Sequence, residues 1–122
     1  MVEGMGLTLY HGGDTAPWDH FSEISAAFPR IDCAALPIGP CDPRSWLAHS
    51  HIGPEDALKA AQELNARMLL PIHWGTYWFG DRPLAPYETL SKAATSKSLE
   101  QMLCAPRMGE PVSLRERLAE FP

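Results

Sequence analysis

Three stretches of the chain carry the hydrophobic pattern of β-strands. Residues 7–11 alternate roughly between apolar and polar side chains, which is typical of a strand with one buried face. The apolar run over 31–38 is continuous, and such a run favours a central position in a parallel sheet that is covered on both sides. A third apolar run, over 68–72, predicts another buried strand.

Apolar residues at helical spacing separate these strands. The pattern predicts helices over 17–28, 54–66 and 86–94, each with a proline near its first turn. Strands that alternate with helices are typical of an α/β fold with parallel strands. For the end of the chain the pattern allows a short strand pair over 101–105 and 111–114, followed by a helical turn over 115–121.

Length and charge restrict the possible classes of protein. The 122 residues are enough for one domain, and 15 acidic against 10 basic residues give a net charge of −5. Because non-specific nucleic-acid binding needs a basic face, we expect no nucleic-acid partner. No apolar run approaches the ~18 residues of a transmembrane segment.

Cysteine usage and the amino terminus bear on the compartment. The three cysteines, Cys33, Cys41 and Cys104, have no Cys-x-x-Cys spacing, which favours a reducing compartment over a disulfide framework. No basic stretch followed by an apolar one is visible at the amino terminus. We therefore expect a cytoplasmic protein.

Two tight turns that follow predicted strands offer metal ligands. Asp14 lies in the turn Gly12-Gly13-Asp14-Thr15 after the first strand, and His73 directly follows the third. The carboxyl ends of parallel strands share one rim of a sheet, so these two side chains can converge there. A carboxylate and an imidazole suit a divalent ion such as zinc. From the residues alone, Asp14 can equally be an ordinary turn residue, and His73 a core histidine bonded to backbone.

The long predicted loop over 39–53 is the second place where chemistry can reside. In an extended loop His49 and His51 would face the same way and could reach one ion, or His51 alone could polarise a substrate or transfer a proton. The alternative is that both are solvent-exposed. His11 and His20 are weaker candidates. Several aromatic residues can line an apolar groove or simply pack: Trp46, Trp74, Tyr77, Trp78 and Phe79.

Other catalytic signatures are missing from the sequence. There is no Gly-x-Ser-x-Gly nucleophile elbow, no Gly-x-x-x-x-Gly-Lys phosphate loop and no Gly-x-Gly-x-x-Gly dinucleotide turn. These absences argue against a serine hydrolase and against the common nucleotide-binding classes.

Four blocks, in this order and spacing, resemble a metallo-β-lactamase-fold hydrolase group: 9–15 (Leu-Tyr-His-Gly-Gly-Asp-Thr), 35–39 (Ala-Leu-Pro-Ile-Gly), 51–57 (His-Ile-Gly-Pro-Glu-Asp-Ala) and 72–76 (Ile-His-Trp-Gly-Thr). The resemblance covers about residues 6–90. It is to the N-acylphosphatidylethanolamine-hydrolysing phospholipase D group and its bacterial relatives, while ascorbate-6-phosphate lactonases share the general pattern.

The resemblance implies roles for individual residues. Asp14 matches an aspartate that bridges two zinc ions, and His73 matches the last histidine ligand, on the second zinc. His51 matches a histidine that contacts the substrate or assists catalysis. Apart from the resemblance, we expect the aromatic residues Trp46, Trp74 and Tyr77 to bind the substrate. Metal-bound hydroxide would be the nucleophile that attacks phosphorus. The implied substrate is a phospholipid, or another phosphodiester or ester.

The chain departs from the group in one large respect, because the amino-terminal His-x-His-x-Asp-His ligands of the family are missing. We therefore expect residues 1–122 to be a single partial domain, the C-terminal half of a metallo-β-lactamase αββα sandwich, with one βαβαβ-type sheet and flanking helices. Its partner would be the missing N-terminal half or a second chain. The alternatives are a noncatalytic module that binds a partner through an open apolar sheet face, a lactonase-type member of the fold, and a small homodimeric enzyme in which His49 and His51 are metal ligands.

Overall fold

The computed structural model describes residues 1–77 and 82–120. One four-stranded sheet lies at its centre, in the order β1 (Val2–Gly4), β2 (Leu7–His11), β3 (Ile31–Pro37) and β4 (Ala66–Ile72). Strands β2, β3 and β4 are parallel, and β1 pairs with β2 in an antiparallel hairpin. The three predicted strands and their parallel arrangement are thereby confirmed. The hairpin strand β1 was not predicted; positive φ angles at Met5 and Gly6, of 54° and 75°, make its tight turn.

The helices are α1 (Phe21–Ala27), α2 (Arg44–Leu47), α3 (Pro54–Glu63), α4 (Ala85–Ser96) and α5 (Leu114–Ala119). All but α2 occupy predicted places with shifted ends, whereas α2 lies in the stretch over 39–53 that was predicted to be a loop. The first helix begins at Phe21, later than the predicted start at Pro17. The chain just before it is bonded to another loop, since the carbonyl oxygen of Thr15 accepts a hydrogen bond from Ile52 N–H. Among the described residues, no helix is long and apolar enough to cross a membrane.

The predicted strand pair near the carboxyl terminus is wrong. A 3-10 helical turn occupies Glu100–Met102, and Leu103 makes one isolated parallel bridge to Leu69 beside β4. Residues 111–113 have no strand partner among the described residues. The physical reason is that Pro106 and Pro111 have no backbone N–H to donate to a ladder.

Both faces of the sheet are covered at its centre. Helices α1, α3 and α4 pack over one face, where Leu58, Leu64 and Leu90 are fully buried. On the other face Cys33 and Met68 are 0% exposed, because the carboxyl-terminal segment packs against them. The expectation of an open apolar face is therefore wrong for this central part of the sheet, because residues between 104 and 118 of the same chain cover it.

Candidate functional site

The carboxyl-terminal rim of the sheet carries one cavity of about 450 Å³. Asp14 reaches it from the turn after β2, and His73 reaches it from the first position after β4. His51, from the connection between β3 and α3, lines the same cavity. Three of the predicted site residues are thus brought together at the edge where parallel strands end, which is the usual ligand position in α/β folds.

Asp14 and His51 lie in direct contact. Oδ1 of Asp14 is 2.7 Å from Nδ1 of His51, and the side chains are 54% and 19% exposed. The backbone hydrogen bond from Ile52 N–H to the carbonyl oxygen of Thr15, at 3.1 Å, joins the two loops one residue further on. The main chain beside Asp14 is therefore bonded to the main chain beside His51, which keeps the two loops together.

The short contact between these two atoms is not an aligned hydrogen bond. Within the described part of the chain, Nδ1 of His51 is buried and has no hydrogen-bond partner, although the carboxylate oxygen of Asp14 is so close. An unpaired nitrogen beside a carboxylate therefore fits a site for a cation or for a substrate proton.

His73 is held in an unusual backbone conformation. Its φ is +59°, in the left-handed region that residues with a side chain rarely adopt. Nδ1 of its ring donates a hydrogen bond to the carbonyl oxygen of Gly39, and its ring centroid lies 6.0 Å from that of His51. The bond to Gly39 fixes the tautomer and leaves Nε2 as the nitrogen that can bind a metal, an arrangement common among metal-binding histidines.

The cavity wall is mainly apolar, and the side chain of Arg82 adds a guanidinium to it. Trp74 stacks on Tyr87 at a centroid distance of 5.2 Å, and its Nε1 donates to the carbonyl oxygen of Pro71. Tyr77 also lines the cavity and is 75% exposed. Arg82 lines it too and pairs with Glu88 at 2.7 Å.

The remaining candidates lie away from this cavity. Trp46 and His49 are exposed and are not among the residues that line the cavity. Helix α2 replaces the expected extended loop, so the alternation that would turn His49 and His51 the same way does not apply. Nδ1 of His11 accepts a hydrogen bond from Gly13 N–H, and His20 packs on Phe21. Trp78 and Phe79 fall outside the described residues.

Sequence reasoning missed three residues that shape the site. Gly39 holds His73, Arg82 lines the cavity, and Arg44 bonds the backbone of His51. The Gly-Pro step directly after β3 was a usable signal for Gly39, since it follows a strand at the same rim. For Arg44 and Arg82, no local pattern distinguishes them from ordinary loop arginines.

The described residues do not complete a metal site. Over 1–77 and 82–120 there is no group of three or more His, Cys, Asp or Glu side chains that could hold a metal ion. The donor types of Asp14, His51 and His73 suit zinc, but a catalytic zinc ordinarily has three protein ligands. The donor chemistry fits the metal, while the number of ligands within this chain does not complete its coordination.

Comparison with known proteins identifies the family. A model of the beta-lactamase superfamily domain matches residues 1–74. N-acyl-phosphatidylethanolamine-hydrolyzing phospholipase D 1 of Caenorhabditis elegans is 38% identical over 80 residues, which are 65% of this chain and 22% of that protein. A metal-dependent hydrolase of Pelotomaculum thermopropionicum is 33% identical over 95 residues, which are 78% of this chain and 38% of that protein.

A solved structure agrees on the fold. Igni18, a metallo hydrolase from the archaeon Ignicoccus hospitalis, superimposes with a TM-score of 0.62 and 24% identity, over 86% of this chain and 40% of that one. The chain thus spans less than half the length of each of these three proteins. Its family match covers more than half of its residues, so the resemblance that the four sequence blocks predicted is confirmed: the chain belongs to the beta-lactamase superfamily, with a metallo-β-lactamase-type fold.

Proposed function

We propose that this chain supplies part of the active site of a zinc-dependent hydrolase that cleaves phosphodiesters, in the manner of the phospholipase D relatives. The observation that carries the proposal is the convergence of Asp14, His51 and His73 on one cavity, with Nδ1 of His51 left unpaired 2.7 Å from the carboxylate. The names of the similar proteins, a phospholipase D and a metal-dependent hydrolase, support the reaction class.

Each of the three side chains has a distinct proposed role. Asp14 and Nε2 of His73 hold the metal, while Nδ1 of His51 contacts the substrate or moves a proton to the leaving-group oxygen. When bound, zinc lowers the pKa of water and withdraws charge from phosphoryl oxygens. Gly39 keeps Nδ1 of His73 occupied, so that Nε2 is the ring nitrogen left to face the metal.

The composition of the cavity wall supports a substrate with an anionic group beside an apolar one. Arg82 offers a permanently charged guanidinium, which suits a phosphate oxygen. Trp74 and Tyr77 offer apolar surface next to it, which suits an acyl chain or other hydrocarbon. A phospholipid carries both kinds of group. Because a phosphorylated lactone would also suit Arg82, it is the apolar surface of Trp74 and Tyr77 beside the guanidinium that favours the phospholipid.

The proposal includes a second part of the domain. The described residues hold too few ligands for a catalytic zinc, and the chain spans only 22–38% of the two curated relatives. We infer that residues 1–122 form the C-terminal half of an αββα domain. The other ligands then come from an N-terminal half, in the same polypeptide or in a partner chain.

Zinc binding by the purified chain tests the site. Because the ligand set among the described residues is incomplete, we expect the chain alone to bind zinc only weakly and to lose this binding in both Asp14→Ala and His73→Ala, measured by titration against a chromogenic zinc indicator. His49→Ala and Asp19→Ala are matched controls, because both side chains are exposed and outside the cavity. Zinc retained by both site variants would refute the ligand assignment.

Substrate choice is tested on the zinc-loaded protein, supplemented with an N-terminal half from a full-length relative. Hydrolysis of bis(4-nitrophenyl) phosphate, lost in His51→Ala, supports the proposal. Hydrolysis of a lactone but not of the phosphodiester overturns the substrate class. If the N-terminal half binds to this chain but the complex hydrolyses neither substrate, the noncatalytic module is favoured.

A further inference from the structure

His51 owes its position to a side chain that does not line the cavity. Nη1 of Arg44 donates a hydrogen bond of 2.7 Å to the carbonyl oxygen of His51. Nη2 of the same guanidinium pairs with Oδ2 of Asp56, in the first turn of α3. One planar guanidinium therefore connects the main chain of His51 to a carboxylate five residues further along.

The carboxylate is fixed in turn. Oδ2 of Asp56 also accepts a hydrogen bond of 2.9 Å from Gly53 N–H, the residue that precedes α3. The guanidinium lies close over this glycine: a Cβ on Gly53 would be 3.6 Å from Cζ of Arg44 and 3.5 Å from Oδ2 of Asp56. The segment between His51 and α3 is thus held on both sides by one ion pair.

The other backbone bond of His51 comes from the same helix as Arg44. Its N–H donates to the carbonyl oxygen of Leu47 at 2.8 Å, so α2 supplies a partner to both polar groups of the His51 peptide units. Helix α2 has only four residues and no buried residue of its own. Packing alone gives it little reason to form, whereas the contacts of Arg44 with His51 and Asp56 anchor its first residue.

We infer that the Arg44–Asp56 pair is a positioning device for His51, and that it sets the direction in which this imidazole meets Asp14. The inference rests on the proposed function for the importance of His51, and on the contacts above for the mechanism. Arginine suits this role because its fork bonds a carbonyl oxygen and a carboxylate at once, which a lysine ammonium does not do in one plane. Neither Arg44 nor Asp56 lines the cavity, so the pair acts on the site through the residues it holds, of which His51 is bonded to it directly.

A purely local role, as a cap of α3, is the competing account. Asp56 caps the helix by itself through Gly53 N–H, and this bond does not need Arg44. Replacing Asp56 by asparagine keeps an acceptor for the cap and removes the charge that holds Arg44. The two accounts therefore differ in what Asp56→Asn does to His51.

Chemical modification of histidine in the metal-free chain separates the two accounts. Diethyl pyrocarbonate acylates imidazoles, and peptide mass spectrometry reports the rate at each histidine. We expect the rate at His51 to rise about tenfold in Arg44→Gln and in Asp56→Asn, because the backbone of His51 loses its charge-assisted hydrogen bond and no longer holds the ring in place. The rate at exposed His49 is the internal reference, and Lys59→Gln, which breaks the exposed Lys59–Glu63 pair on α3, is the matched control.

Zinc affinity gives the second readout. We expect the dissociation constant to rise about tenfold in Arg44→Gln, because a displaced His51 no longer holds the proposed ligand Asp14 in place, and to stay unchanged in Lys59→Gln. Arg44→Lys keeps the charge but has a single donor nitrogen, so its dissociation constant for zinc should lie between those of Arg44→Gln and Lys59→Gln. It also serves as the test variant if Arg44→Gln does not fold.

The two readouts separate the failure of this inference from the failure of the proposed function. An unchanged modification rate at His51 in both Arg44→Gln and Asp56→Asn overturns the positioning role, whatever the metal does. A chain whose zinc binding is unaffected by Asp14→Ala and His73→Ala, but whose His51 becomes reactive in both Arg44→Gln and Asp56→Asn, keeps the positioning role and removes the proposed metal ligands.

Discussion

The carbonyl oxygen of Gly39 accepts a hydrogen bond from Nδ1 of His73 and thereby joins the loops that follow β3 and β4. The main chains are joined just before this point, where Ile38 N–H donates to the carbonyl oxygen of Ile72 at 3.0 Å. The left-handed backbone of His73 costs about 1–3 kcal/mol, and its neighbours hold it there. Strain of this kind at the proposed ligand agrees with a functional role for it.

Gly39→Ala should weaken the site without unfolding the protein. A Cβ at this position would lie 3.3 Å from the carbonyl oxygen of His73 and 3.5 Å from Cγ of Pro86, so the His73 loop must move by a few tenths of an ångström. We expect zinc affinity to fall about tenfold, measured by chelator competition. Gly4→Ala is the control, since nothing lies within 4 Å of its added Cβ. Unchanged affinity in Gly39→Ala would show that the Gly39–His73 contact does not orient the ligand.

Arg82→Gln should weaken the binding of an anionic substrate more than that of a neutral one. The guanidinium is 68% exposed and already paired with Glu88, so its contribution is modest. We expect the affinity for bis(4-nitrophenyl) phosphate to fall about tenfold, equivalent to about 1.4 kcal/mol, with no change for a neutral ester of similar size. Calorimetric titration measures both. Arg117→Gln, which breaks a comparable exposed pair with Glu120, is the control. Equal losses for the two ligands would contradict a role in anion recognition.

The parts of the fold that follow from a simple hydrophobic period could be predicted. The run over 31–37 is apolar on both sides and is indeed the buried central strand, and Pro54 with two acidic residues begins α3 as expected. The positions of Asp14 and His73 followed from one topological rule, because both stand directly after parallel strands. That rule brings residues to a rim without any knowledge of side-chain contacts.

The parts that depend on long-range contacts could not be predicted. Helix α2 has no buried residue, so no hydrophobic period marks it, and the contact that ties its first residue to the rest of the fold joins Arg44 to Asp56, twelve positions apart. The cover over the second sheet face depends on Leu118 reaching Met68, which local pattern does not encode. The exclusion of Trp46 from the cavity follows from the same helix, which places that side chain in solvent.

Burial should make Cys33 unreactive at neutral pH and should make stability fall at high pH. Burial, with Cys104 and Asp32 nearby, raises the pKa of the Cys33 thiol to about 12. We expect iodoacetamide at pH 8 to label partly exposed Cys41 well before Cys33.

Because the Cys33 thiol ionises at lower pH in the unfolded chain, its contribution to stability is complete below its ordinary pKa and is lost as the pH rises toward 12. Urea denaturation of wild type and Cys33→Ala measures this loss. A wild type whose high-pH decline matches that of Cys33→Ala would contradict the shift.

Leu118→Ala should test whether the carboxyl-terminal segment covers the second face of the sheet. Leu118 is 6% exposed and packs with Cys33, Met68 and Cys104, and its carbonyl oxygen accepts a hydrogen bond from Nη2 of Arg67. Truncation of a buried leucine removes about 2–5 kcal/mol, and the low end applies here because the helix lies at the surface and can settle into the gap. Leu84→Ala is the control, since that side chain is 56% exposed and its loss should cost less than about 0.5 kcal/mol.

The size of the Leu118→Ala effect also bears on how the chain meets a second half-domain. A loss of about 2 kcal/mol in urea denaturation means that this segment stabilises the isolated chain, so a partner must pack beside it or displace it. An effect as small as that of Leu84→Ala means that the segment is detached in solution. Cys33 and Met68 would then be exposed on a bare apolar face, which would favour aggregation until another part of the domain covers it.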